Sequence, residues 1–216
     1  MPRFNRLALI LAPAALLALP LAAQMPTEAP GKPDAARVTA GTYTVDPSHT
    51  LVGWRVDHLG FNDYFGIFGS ASGTLTLDPK RPNSAKVEIT IPVSKVSTAS
   101  AGLTAHLLRP GKDGGKPDFF GASPADAKFV STSVVASGTT AKIVGNLTLN
   151  GVTRPVTLAA KFSGAGKTPP MMGGKETVGF HATASVKRSE FGIMQAIPFV
   201  SDMVKLDISV AFEKKV

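Results

Sequence analysis

The side chains that could carry chemistry in this 216-residue chain are few and poorly spaced for it. There are four histidines, His49, His58, His106 and His181, and no cysteine. No two of the histidines have the spacing of a zinc or metalloprotease motif, and no Gly-x-Ser-x-Gly elbow, phosphate-binding loop or dinucleotide fingerprint occurs. The glycine cluster at 111–115 does not open a helix after a strand, so its amides cannot ring a phosphate in the usual way. The chain is therefore read as a non-enzyme, with no catalytic residue, no metal and no catalytic cofactor. His49 fits a turn that starts a strand, and His181 falls on the polar face of one. His58 is different. Counting by twos through Val52, Trp54, Val56 and His58 puts it on the face that carries the chain's single Trp. If that face lines an interior, His58 is a polar group beside an apolar lumen, either bonded to a neighbouring strand or touching a ligand.

The elements that would position these residues are strands. From Gly41 onward the dominant signal is alternation with period two, which places every second side chain on one face of a sheet. Val204, Leu206, Ile208, Val210 and Phe212 alternate with Lys205, Asp207, Ser209 and Ala211. The same pattern runs through Val87, Ile89, Ile91 and Val93, and through Val178, Phe180, Ala182, Ala184 and Val186. Asn150-Gly151 sits between two such runs, 143–149 and 152–162, and this dipeptide accepts the positive φ angles of a tight hairpin turn. Further breaks fall at 78–83, at Ser137-Gly138 and across 164–174. Short strands close in sequence predict an all-β fold, an antiparallel sandwich or barrel, and not parallel βαβ units. Residues 101–108 depart from period two: Leu103 and Leu107 are four apart, which predicts a short helix ending before Pro110.

Composition bounds the setting. Arg3 and Arg6 precede an apolar run over 7–23 broken by Pro13 and Pro20, the pattern of a signal peptide over residues 1–23. A membrane helix needs about 20 unbroken apolar residues. Residues 24–40 are rich in Pro, Ala and polar residues without periodicity and read as a flexible leader, so the domain spans 41–216. An exported chain without cysteine must be held by its core alone. The net charge of +8 includes Arg3 and Arg6, and the remaining basic residues are scattered with few aromatics beside them. That argues against nucleic-acid binding and leaves a weak pull toward anionic lipid head groups. A membrane-spanning barrel also alternates, but it girdles itself with aromatics, and this chain has two Tyr and one Trp.

Most aromatics are Phe, and Phe61, Phe65, Phe68, Phe119, Phe120, Phe129, Phe191 and Phe199 fall in and around turns and strand ends. Such residues ordinarily form core. An eight-stranded barrel is, however, about wide enough to hold one small ligand, and a Phe-lined mouth would suit an alkyl or prenyl chain.

These segments resemble the YceI-like family. The resemblance rests on Tyr43 through His49, Val56-Asp57-His58-Leu59-Gly60, Gly66-Ile67-Phe68 followed by Gly73-Thr74-Leu75, His106-Leu107, Asp118-Phe119-Phe120, 145–156, Arg188 through Gly192, and Val200-Ser201-Asp202. It implies a lipocalin-like antiparallel β-barrel of about eight strands in the periplasm. It also implies an isoprenoid ligand, an isoprenoid quinone or a polyprenyl phosphate, held for storage, transport or protection, with a link to stress. On this basis Trp54, Val56, Leu103, Leu107 and Ile193 join the Phe set as the expected apolar lumen, with His58 or Arg188 near the polar head. Residues 110–117 and Tyr64-Phe65 depart from the family pattern and are expected near the mouth. Alternation alone leaves a packed interior open: the barrel would then be a filled scaffold binding a partner or membrane through its loops. A hydrolase of apolar esters is a distant third. Pairing into a homodimer is also left open.

Overall fold

The computed structural model describes residues 28–215, so the signal-peptide reading of residues 1–23 lies outside the described residues. Eleven strands form one antiparallel sheet: β1 (Gly41–Val45), β2 (Leu51–His58), β3 (Asn62–Phe68), β4 (Ser72–Leu77), β5 (Lys86–Ile91), β6 (Ser97–Thr98), β7 (Ala127–Ser137), β8 (Thr140–Leu149), β9 (Val152–Lys167), β10 (Glu176–Lys187) and β11 (Met203–Lys214). The ring closes through β1, β4, β5, β7, β8, β9, β10 and β11, with β11 returning to β1, which makes an eight-stranded barrel. β2, β3 and β6 continue the sheet from β11.

The closure has a local cause. β1 and β2 lie end to end along one edge of β11, with Val45 opposite Phe212 and Leu51 opposite Ser209. Between them the chain steps outward over 46–50. There the Asp46 carboxylate accepts the Ser48 N–H at 2.9 Å and meets His49 Nδ1 at 2.6 Å. Burial raises the Asp46 carboxyl, but these bonds to His49 and Ser48 outweigh it and hold the carboxyl below its ordinary value. His49 therefore belongs to the turn expected of it. Thr50 then re-enters and bonds both backbone groups of Ala211.

The hairpin expected at Asn150-Gly151 is present, with φ of 52° and 75°, and it joins Leu149 to Val152. The short helix, α1 (Ala101–Leu107), starts where the Ser100 hydroxyl accepts the Leu103 N–H at 3.2 Å. The strand expected to run through Val93 stops at Ile91, because Pro92 has no N–H to continue a ladder.

Part of the segment read as a leader lies against the barrel. Lys32 exchanges two backbone hydrogen bonds with Ala165, at 3.1 and 2.9 Å, on the edge of β9 beyond the start of β8. A side chain at Gly166 would place its Cβ 2.2 Å from the Pro30 carbonyl oxygen, so glycine there is what lets the two backbones approach. Among the described residues no helix is long and apolar enough to cross a membrane. The charged residues of β11, Lys205 and Asp207, face out while Leu206 and Ile208 face in, the reverse of a membrane-spanning barrel.

Candidate binding cavity

The inward faces of the strands enclose a cavity of about 290 Å³. Its wall is aliphatic: Leu75 on β4, Val87, Ile89 and Ile91 on β5, Val134 on β7, Ile143 on β8, Val156 and Leu158 on β9, Leu206, Ile208 and Val210 on β11. Phe129, Phe162, Phe180 and Phe212 complete it. Many of these side chains are only half-buried although they point inward, because they face space and not one another. Among the described residues the lining is uncharged, so the space can hold an apolar group away from water. Thr50, the polar residue deepest in the lining, is already bonded to Ala211.

The hollow comes from a row of small residues that only the strand register reveals. Ala136 pairs with Ala141, Ala141 with Ala160, and Ala160 with Ala182, so four alanines sit side by side across β7, β8, β9 and β10. All four line the cavity. Directly paired residues stand about 4.5–5.5 Å apart, and a belt of methyl groups of that width cannot reach the opposite wall.

The cavity meets solvent at one end. The lining residues that are themselves exposed are Ala35, Pro79, Pro82, Gly138, Thr139 and Thr140, all on one rim formed by the docked N-terminal segment, the β4–β5 turn and the β7–β8 turn.

The opposite end is packed shut. Phe191 is 1 % exposed and Ile193 3 %, and Val93, Val96 and Leu107 are equally buried. Trp54 lies flat across Gly66, whose Cβ would fall 2.1 Å from the indole ring. The Trp54 Nε1–H has no hydrogen-bond partner among the described residues. Arg188 anchors this end. Its guanidinium donates to the carbonyls of Ser201 (3.0 Å), Ile193 (3.2 Å), Gln195 (2.7 Å) and Val200 (2.8 Å). Burial pushes it below its ordinary value, against the opposing pull of Asp202. Asp202 accepts both the backbone N–H (2.8 Å) and the hydroxyl (2.7 Å) of Ser189. Burial raises the Asp202 carboxyl, and the Ser189 bonds together with Arg188 outweigh it, leaving the carboxyl lower than usual. His106 Nε2 on α1 and Arg109 just beyond it meet the Asp118 carboxylate at 2.8 and 2.6 Å. Arg109 first and His106 second hold that carboxyl below its ordinary value.

Of the residues expected to form the lumen, Phe129 alone lines the cavity. Trp54 and Val56 face inward but toward the closed end, where Leu107, Phe191 and Ile193 are buried and Leu103 is half-buried. Phe68 and Phe120 meet edge to face at 5.9 Å, and Phe119 packs on the His106 ring at 5.2 Å. Phe61, Phe65 and Phe199 are on the outside, 86 %, 60 % and 67 % exposed. The residues expected near the head group lie away from this cavity. His58 is exposed at the end of β2, paired through its backbone with Val200. Arg188 has four of its five N–H donors on backbone carbonyls and does not line this cavity. Residues 110–117 and Tyr64-Phe65 are not on the rim either. The aliphatic wall was visible as period-two faces, and the rim as turn punctuation. The alanine belt was not visible, because its members are spread along the sequence from 136 to 182.

The YceI-like domain model matches residues 43–212. Protein YceI of Salmonella arizonae is 39 % identical over 174 residues, covering 79 % of this chain and 86 % of that protein. The crystal structure of the Campylobacter jejuni YceI protein superposes with a TM-score of 0.58 at 27 % identity, covering 74 % of this chain and 90 % of that one. A polyisoprenoid binding domain from Saccharophagus degradans, implicated in plant cell wall breakdown, has a TM-score of 0.53 at 11 % identity, covering 80 % of this chain and 98 % of that one, which establishes a shared fold.

Proposed function

Because the chain belongs to the YceI-like family, we propose that it is an exported lipid-binding protein whose lumen encloses an isoprenoid chain. The observation that carries this reading is the hollow produced by the alanine belt in a wall without charge. A cavity of about 290 Å³ lies near the lower bound of roughly 300–1,000 Å³ for small-molecule sites. Each methylene taken from water into it contributes about 0.8 kcal/mol. A branched prenyl chain places methyl groups on both sides, which suits a lumen lined all round by Val, Ile and Leu. The description of the Saccharophagus domain as polyisoprenoid binding agrees with this ligand class.

The tail supplies affinity and the head supplies selectivity. A desolvated phosphate needs an Arg or several amides, whereas a quinone needs one or two donors. The wall offers neither charge nor free donor, so the head sits at or beyond the rim, near Thr139 and Thr140. Such a protein stores, carries or protects the chain and has no reaction to perform. The arginine-led apolar run over 7–23 supports a periplasmic location, and protection of membrane isoprenoids under stress fits a carrier in that compartment. The hollow disfavours a filled scaffold acting through its loops.

The test is gentle purification of the full chain from an exporting host, followed by native mass spectrometry. A bound mass that fragments as an isoprenoid is the expected result. Protein that is empty across preparations overturns the reading.

A further inference from the structure

Beside the rim of the cavity, on the side of the β4–β5 turn, β8 and β9, stand four lysines without an ion pair among the described residues. Lys80 lies in the turn between Pro79 and Pro82, and Lys86 opens β5 next to the lining residue Ala85. Lys142 follows Ala141 of the alanine belt and pairs with Val135, while Lys161 stands opposite the rim residue Thr140. All four are exposed, and among the described residues none is in an ion pair. The acids of the rim are already engaged: Glu28 with Lys32 at 2.7 Å, Asp34 with Arg37 at 3.9 Å, and Asp78 with Arg81 at 3.0 Å. Glu88, two residues along β5 from Lys86, is the remaining nearby acid. Exposed Pro79, Pro82 and Val135 add small apolar surface within this collar. The closed end is built the other way, with exposed Phe61, Phe199, Leu59 and Met194 among charges of both signs.

We propose that the lysine collar is a docking surface for an anionic bilayer. It presses the mouth against the head groups, so that an apolar chain passes between membrane and cavity without crossing water. Charge complementarity is what selects this partner. Four ammonium groups without an ion pair flank the opening that the described residues leave to the cavity, and the attraction of each for an anionic surface acts within a Debye length of about 8–10 Å. The purpose of docking rests on the lipid-carrier reading above, but docking itself requires only the collar.

The experiment is co-sedimentation of the full chain with vesicles of phosphatidylglycerol mixed with phosphatidylcholine, against vesicles of phosphatidylcholine alone, at low and high salt. The wild type is expected to bind the anionic vesicles, to release them at high salt and to ignore the zwitterionic ones. The quadruple variant Lys80→Glu, Lys86→Glu, Lys142→Glu and Lys161→Glu is expected to lose at least about a hundredfold in partitioning, given roughly fivefold per lysine. A matched reversal away from the rim, Lys95→Glu, Lys112→Glu, Lys187→Glu and Lys205→Glu, is expected to bind nearly as wild type. The salt dependence of the unmodified protein is an independent reading should either variant misfold. Docking is overturned by absence of binding to anionic vesicles at low salt, by equal loss in the two quadruple variants, or by loss confined to Phe61→Ser with Phe199→Ser. Bound isoprenoid found in a protein that ignores anionic vesicles removes the docking surface and leaves the carrier reading standing. Vesicle binding by a protein that is always empty does the reverse.

Discussion

The two ends of the barrel are made from the same strands and differ in what fills them. At the closed end, large side chains meet: Phe191, Ile193 and Leu107 are buried, and Arg188 ties the segment 193–201 down through four carbonyls. At the open end, alanines face each other across β7, β8, β9 and β10, and the aliphatic residues around them remain half-buried against space. The difference shows that inward direction and burial are separate properties. A strand face can be wholly apolar and still be a wall and not a core. The plug is close-packed, and the space for a ligand is left by the alanine belt nearer the other end, beside a second buried cluster that includes Tyr43, Ala165, Val178 and Phe212.

This contrast can be broken by substitution. The largest effect is expected at the closed end, where Arg188→Met leaves four carbonyls without their donor. About 3–5 kcal/mol should be lost, measured by urea unfolding. Phe191→Ala should cost a similar amount, about 3–5 kcal/mol, while Ile89→Ala in the cavity wall should cost only about 1–2 kcal/mol because part of its surface is already exposed. Equal costs at the two positions would mean that the lumen is as well packed as the plug.

Much of this architecture was legible in the sequence. β10 and β11 were readable because one face is wet, so Lys205 and Asp207 mark the alternation. Asn150-Gly151 marked its turn because few dipeptides accept two positive φ angles. α1 was readable from Leu103 and Leu107. The cavity was not. Period two says which residues share a face, but register decides which neighbours they meet, and Ala136, Ala141, Ala160 and Ala182 become a belt only after three hairpin registers are set. Phe residues near turns pointed to a mouth, yet large rings serve better as a stopper, and nothing local tells a closed end from an open one. The surroundings of Arg188 were not legible for a related reason: the carbonyls of residues 193–201 that it meets come from a loop that folds back over it.

Smaller effects sharpen the comparison. The Asp202 carboxyl titrates below its ordinary value of 3.8, so it stabilises the fold above that value, and this contribution is lost as the pH falls through the lower folded value. Stability should therefore rise with pH across the acid range. Asp202→Asn should flatten that rise by about 1 kcal/mol or less, and the loss should be confined to the closed end, as hydrogen exchange around Ser189 would report. The smallest effect belongs to Trp54→Phe. It removes a buried N–H that has no partner among the described residues, so it trades lost ring contacts against a relieved unmet donor. A net change within about 1 kcal/mol is expected from thermal unfolding.

The most direct test compares ligand occupancy after blocking each end. Ala182→Phe places a ring inside the alanine belt, whereas Phe61→Ser with Phe199→Ser alters the exposed aromatics of the opposite end. Native mass spectrometry of gently purified proteins should show bound isoprenoid reduced at least about tenfold in Ala182→Phe, with unfolding stability unchanged, and undiminished in the double Phe variant. Full occupancy in Ala182→Phe together with loss in the double Phe variant would contradict the account and move the site to the end that the structure closes.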